Sequence, residues 1–310
     1  MKKSSALALA IAGTLAAPMV MAEGVYVSAR LGVDYNTSDD DAAESMTFGN
    51  LSTRMGWKGE TDLGNGLTAF GKFEVTSSFG TRDLYVGLMG DFGKVTIAES
   101  AYGAFYNHVT GPVDQPYWIG GGGFLLTGRT KNMISYAGGN DMFSFEVGAM
   151  ADGTDTTEPG GNNTSVSGYQ AAVSVGLGDN WTVAAGMYDD EDSARELGGI
   201  YDGFDVTGSN GTISGVTVHG NVGDIYIGGT FQSDDDVDGI QLHVGFGNFF
   251  VNYGQADASD ADYTPTEIGV GYAQSIGENT TFWAEAVSKD GDDVVADSEE
   301  IVAALRYDWN

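Results

Sequence analysis

The feature that most constrains this chain is a hydrophobic period of two that persists from Gly24 to the last residues. In GVYVSARLGVDY, Val25, Val27, Ala29, Leu31, Val33 and Tyr35 share one side of an extended strand, while Tyr26, Ser28, Arg30, Gly32 and Asp34 share the other. Such segments recur near 24–35, 46–62, 67–76, 81–90, 94–100, 129–137, 142–150, 167–177, 181–189, 211–221, 224–232, 238–246, 249–256, 266–275, 280–288 and 298–309. The spacing predicts sixteen strands, an even number.

Their connections alternate in kind. LGNG at 63–66, DFG at 91–93, GGND at 138–141, GDN at 178–180, VGD at 222–224, GN at 247–248 and IGEN at 276–279 read as tight turns. Between them lie mostly longer, acidic connections at 36–45, 101–128, 151–166, 190–210, 257–265 and 289–297. Short turns at one end and long loops at the other, on strands with one apolar side, predict an all-β, sixteen-stranded antiparallel transmembrane β-barrel. A closed sheet leaves no unpaired edge in hydrocarbon. Tyr35, Trp57, Phe73, Tyr85, Tyr136, Tyr307 and Trp309 fall on faces read as outward, several near strand ends where interfacial aromatics belong. A soluble sheet protein could also use them as core, but it has no reason to sort its loops by length.

Residues 1–22 read as a secretory signal: Lys2 and Lys3, an apolar centre from Ala6 to Ala17, and small residues up to Ala22. The expected mature chain, 23–310, is one domain with a formal charge of −33, which excludes nucleic acid as a partner. Cysteine is absent, so no disulfide framework holds the fold. Forty-eight glycines against five prolines suit many strands joined by tight turns.

The run SMTFGNLSTRMGWKGETDLGNGLTAFGKFEV, followed by FGTRDLYVGLMGDFGKVTI, resembles the Gram-negative general diffusion porins. The likeness extends more weakly through GRTKNMISYAGG and the final IVAALRYDWN; between about 150 and 265 only the strand rhythm matches. The resemblance implies a homotrimer of barrels in an outer membrane, in contact with lipid and lipopolysaccharide. It also implies a third long loop, ESAYGAFYNHVTGPVDQPYWIGGGGFLLTG, folded back to narrow the lumen. Two departures stand out. The chain ends Trp309-Asn310 where the family commonly ends on an aromatic, and the second outer loop, near Ser77 to Gly80, is very short.

Of eleven basic residues after the signal, eight precede residue 132. Parity puts Arg30, Arg54, Lys58, Lys72, Arg129 and Lys131 opposite the apolar faces of their strands. A charge on the lipid face at mid-membrane costs ~2–4 kcal/mol, so these residues should line the lumen. Arg82 shares its side with Leu84, Val86 and Leu88, and only the resemblance turns it inward. By that analogy Arg54, Arg82 and Arg129 lead the constriction, with Arg30 and Lys131 behind them, and Asp114 on the loop supplies the opposing acid. Lys58, Lys72 and Glu74 complete the expected lumen wall. The cations could instead only neutralise neighbouring carboxylates such as Asp34 and Glu74, or hold the loop. The basic wall favours anions, whereas acidic outer loops such as Asp39 to Asp41 enrich cations at the mouth; on balance the sequence leans to cation preference.

The function expected is that of a general diffusion porin, a passive water-filled channel for ions and small hydrophilic solutes. The alternatives are a channel selective for a sugar or an anion, with Tyr102, Phe105, Tyr106, Tyr117 and Trp118 as stacking residues, or a plugged surface barrel. No enzyme, cofactor or metal site is expected. Asp234 to Gly239 opens like an EF-hand loop, but its twelfth position is Gly245. The three histidines have no ligand spacing, and no nucleophile elbow is present.

Overall fold

The computed structural model describes residues 24–38, 44–114, 125, 129–151, 166–190, 212–258, 264–291 and 297–309. The expected signal and most of the long connections fall outside them. The strands are β1 (Val25–Ser38), β2 (Ser45–Asn50), β3 (Arg54–Gly64), β4 (Leu67–Thr76), β5 (Thr81–Gly90), β6 (Gly93–Ala101), β7 (Thr130–Asn140), β8 (Phe143–Ala151) and β9 (Val166–Leu177). They continue as β10 (Trp181–Asp190), β11 (Ile213–Val222), β12 (Ile225–Ser233), β13 (Val237–Phe246), β14 (Phe249–Ala258), β15 (Thr266–Gly277), β16 (Thr280–Asp290) and β17 (Ser298–Trp309).

Every consecutive pair from β3 onward is antiparallel, and β17 returns to pair with β1 from Val27↔Trp309 to Ser38↔Ser298. The sheet therefore closes. Both β2 and β3 pair with β1, so the two occupy one position and the barrel has sixteen staves. The sequence predicts one uninterrupted strand over 46–62; the structure divides it at Leu51, Ser52 and Thr53. Ser52 takes φ 63°, a left-handed conformation that ends the β ladder. The chain then folds over β1: the Leu51 N–H donates to the Arg30 carbonyl (2.8 Å), and the Arg30 N–H donates to Thr53 Oγ1 (2.9 Å).

The barrel is apolar on the outside. On β11, Val216 and Val218 are exposed while Thr217 is wholly buried between them. On β13, Ile240, Leu242 and Val244 are exposed and Gln241 and His243 are buried. A soluble protein buries the opposite set, so this alternation requires a lipid environment. Among the described residues no helix is long and apolar enough to cross a membrane, and none is needed where strands do so. The turns carry left-handed residues where the sequence offers Gly or Asn, as at Asn65, Gly66, Gly178, Gly223 and Gly247.

Candidate functional site

The inner face of β3, β4 and β5 holds a continuous ladder of charges. Glu74 accepts from Tyr26 Oη (2.7 Å) and Arg82 Nε (3.0 Å), with Lys72 Nζ at 3.4 Å and Arg54 Nη1 at 3.7 Å. Asp83 accepts from Lys72 Nζ and from Arg129 Nε, each at 2.5 Å. Both carboxylates are nearly inaccessible, whereas the cations retain about a fifth of their side-chain surface. Buried acids thus tie down cations whose outer edges stay accessible.

Arg82 reaches this ladder through a bulge. Glu74 pairs with Asp83, but Val75 pairs with Thr81, so Arg82 is the extra residue between them. Simple alternation would send it outward with Leu84. The irregularity re-aims its side chain to Glu74, which is what such bulges do beside functional sites.

Arg129 continues the chain of contacts into the segment after β6. Its guanidinium lies over the Tyr102 ring at 4.4 Å, Tyr102 stacks on Tyr106 at 3.8 Å, and Tyr106 Oη donates to Asp114 (2.7 Å). Asp114 is therefore linked to the basic wall through two tyrosines. Burial raises its pKa above the ordinary carboxylate value, and the Tyr106 hydrogen bond opposes that shift. The remaining described part of this segment makes contacts with β9 to β12. The Val109 carbonyl accepts from Thr217 Oγ1 (2.6 Å), the Pro112 carbonyl accepts from Tyr226 Oη (2.5 Å), and His108 Nδ1 lies 2.6 Å from Ser174 Oγ. Gly215 makes room for it, since a methyl there would stand 2.7 and 2.9 Å from Val109 and Phe105.

The other expected site residues are placed as follows. Arg30 lies on the inner face of β1, nine-tenths buried beneath the β2–β3 interruption. Lys58 is exposed on β3 and pairs in register with Lys72. Lys131 is exposed next to Asn132, whose φ of 49° breaks the local alternation, and no ion pair joins it to the ladder among the described residues. Of the loop aromatics, Phe105 is wholly buried, and Tyr117 and Trp118 lie outside the described residues. Three partners escaped the sequence reading. Asp83 is opposite Leu84, Val86 and Leu88 in parity, so its inward direction was legible, and Tyr85, expected on the outward face, shares that parity and lines the same cleft as Asp83; Tyr26 and Arg306 follow from the same rule.

The sequence profile of the Gram-negative porins matches residues 5–294. The chain belongs to the Gram-negative porin family. As a member, it is an outer-membrane channel protein. The porin is 26% identical over 314 residues to outer membrane porin protein 32 of Delftia acidovorans, covering 91% of this chain and 88% of that one. It is 32% identical over 109 residues to the major outer membrane protein P.IB of Neisseria meningitidis serogroup B, a match spanning 31% of this chain and only 33% of that relative. The anion-selective porin from Comamonas acidovorans superposes with a TM-score of 0.73 at 17% identity, over 93% of this porin and all of the other, and so shares its fold.

Proposed function

We propose that this porin is a passive diffusion channel for ions and small hydrophilic solutes whose narrowest section favours anions. The carrying observation is the composition of the ladder: Arg54, Lys72, Arg82 and Arg129 against two carboxylates, Glu74 and Asp83, both already engaged by those cations. The surplus of positive charge borders open lumen, where low-dielectric walls focus its field. Acidic outer loops enrich cations at the mouth, but salt screens them over ~8 Å at physiological strength. The narrow section therefore decides the sign, against the cation preference that total charge suggests.

The narrowing itself is part of the proposal. The contacts of Phe105, Val109 and Pro112 with β11 and β12 support an inward course for the whole connection between β6 and β7, opposite the ladder. Arg30 and Lys131 flank the narrow section, and Lys58 lines the wall below it. A general channel is favoured over a sugar-selective one because Phe105 is consumed by packing and the faces of Tyr102 and Tyr106 are occupied by each other and by Arg129.

We further infer a homotrimer embedded in lipid and lipopolysaccharide. Gly59, Gly71 and Gly87 line an outward apolar groove with Trp57, Val86 and Ile97, a relief that lets a second barrel approach closely. The second outer loop contributes little: Phe79 projects from it at φ 63°, and Ser77 accepts from Asn50. Export under the 1–22 signal would leave Glu23 at the mature N-terminus.

The test is single-channel conductance in a planar bilayer, with the reversal potential read across a KCl gradient. Stepwise openings with a potential of anion-selective sign are expected. A cation-selective sign would overturn the selectivity, and a folded, inserted barrel without conductance would overturn the channel.

A further inference from the structure

Arg30 and Arg306 stand directly opposite each other where β1 and β17 close the barrel, both on the inner face. Like charges in that relation repel. Arg306 is relieved by Asp308 on its own strand, at 2.8 Å. Among the described residues Arg30 makes no ion pair of its own, although Asp308, held by Arg306, attracts it from a distance. It is 9% exposed, its Nε has no hydrogen-bond partner, and none of the ladder's ion pairs reaches it. Its backbone is fixed by hydrogen bonds with Leu51 and Thr53.

Arg54 adds to the imbalance. It pairs in register with Ser28 on β1, its approach to Glu74 is long, and its Nε is likewise buried without a partner. These three arginines border one cleft of about 330 Å³, with Lys58 and Lys72 as the other cations and Glu74 and Asp308 as the carboxylates facing it. Glu74 is taken up by Tyr26, Lys72 and Arg82, and Asp308 by Arg306. Five cations thus share two carboxylates in this cleft, and buried guanidinium groups are costly where counter-charge is short.

We propose that this cleft at the β1–β17 seam is a binding site for a phosphate-class oxyanion, either inorganic phosphate or a small phosphate monoester, held among Arg30, Arg54 and Arg306. Guanidinium forks match the paired oxygens of a tetrahedral oxyanion, whereas chloride can satisfy only one direction at a time. The volume is at the small end of ligand clefts, ~300–1,000 Å³, which admits a modest organic substituent and excludes a large one. The site differs from the Arg82–Asp83–Arg129 part of the ladder, where each cation already has a carboxylate. It rests on the channel reading only in that the lumen must admit phosphate.

The experiment uses the folded full-length mature protein in detergent. Inorganic phosphate is titrated at pH 7.5 against chloride at matched ionic strength, and binding is read by calorimetry and thermal unfolding; the same preparation is then tested for conductance. The expected result is saturable phosphate binding that raises the unfolding temperature, weakened at least tenfold by Arg30→Gln and by Arg306→Gln. The second variant keeps the test decisive if the first fails to fold. A phosphate effect that tracks ionic strength without saturating would overturn the proposal. So would saturable binding that survives both substitutions and is lost in Arg129→Gln, since that would put the anion at the ladder. Binding without conductance would refute the channel and leave the seam site standing.

Discussion

Glu74 and Asp83 face each other across the β4–β5 ladder, and a single ammonium, Lys72 Nζ, bridges them at 3.4 and 2.5 Å. Two buried acids side by side would repel unless cations surrounded them. Here they organise the arginines, fixing each guanidinium without cancelling the wall's charge. Glu74→Gln or Asp83→Asn should therefore move the reversal potential further to the anion side. Each should also lower thermal stability, by roughly 1.5–3 kcal/mol for each charge-assisted hydrogen bond lost. A shift towards cations would contradict this account of the wall.

Thr217 is the tether of the segment after β6. Its hydroxyl is wholly buried and donates to the Val109 carbonyl at 2.6 Å. Thr217→Val keeps the shape and leaves that carbonyl unsatisfied, at a cost of about 1–3 kcal/mol. Single-channel records should show more open-state noise and closure at lower voltage. Unaltered gating would mean that the segment is held elsewhere.

Two groups of that segment respond to acid with opposite signs. Burial raises the Asp114 pKa, so the folded state holds its proton more tightly than the unfolded chain; the packing is strongest below the ordinary carboxylate range and weakens as pH rises through the raised value. Burial lowers the His108 pKa, with Glu146 opposing the shift, so packing is strongest above the ordinary histidine value of 6.5 and weakens as pH falls through the lowered one. Asp114→Asn should stabilise the protein at neutral pH and remove the acid-side gain. His108→Gln should remove the acid-side loss. Unfolding temperatures between pH 4 and pH 8 would separate the two, and superimposable profiles for both variants and the parent would refute the assignment.

Leu51 leaves the β ladder to pack inside the barrel in a cluster with Trp283, Val302 and Ala304. Truncation to alanine opens a cavity beside a fully buried indole and should cost about 2–5 kcal/mol. Heat-induced unfolding of Leu51→Ala would measure it. A loss below about 0.5 kcal/mol would show that the cluster collapses freely.

Most of the barrel was legible because its two signals are local: alternation selects the face, and Gly, Asn and Asp mark the short turns. The misses share one cause. The break at Leu51-Ser52-Thr53 shows in the sequence only as a change of parity, from Met46 and Phe48 at even positions to Met55 and Trp57 at odd ones, and a reading of 46–62 as one strand passes over it; nothing local announces the left-handed φ of Ser52. Arg82 defied parity because a residue inserted in one strand shifts every side chain beyond it, a property of the pair of strands rather than of either alone. The tyrosine relay from Asp114 to Arg129 depends on a contact between residues far apart in the chain, Tyr102 and Arg129, which no local pattern announces.

The pairing of β1 with β17 also has a kinetic meaning. Residues 260 to 282 positions apart must find a twelve-pair register before the last hydrogen bonds form, and contacts of such sequence separation are the slowest to be made. Until they form, the chain presents two free strand edges, each a template for pairing with another molecule. Assembly is therefore all-or-none with respect to the final strand. A chain lacking residues 298–310 would retain nearly every local contact described above and still be a substrate for aggregation or proteolysis.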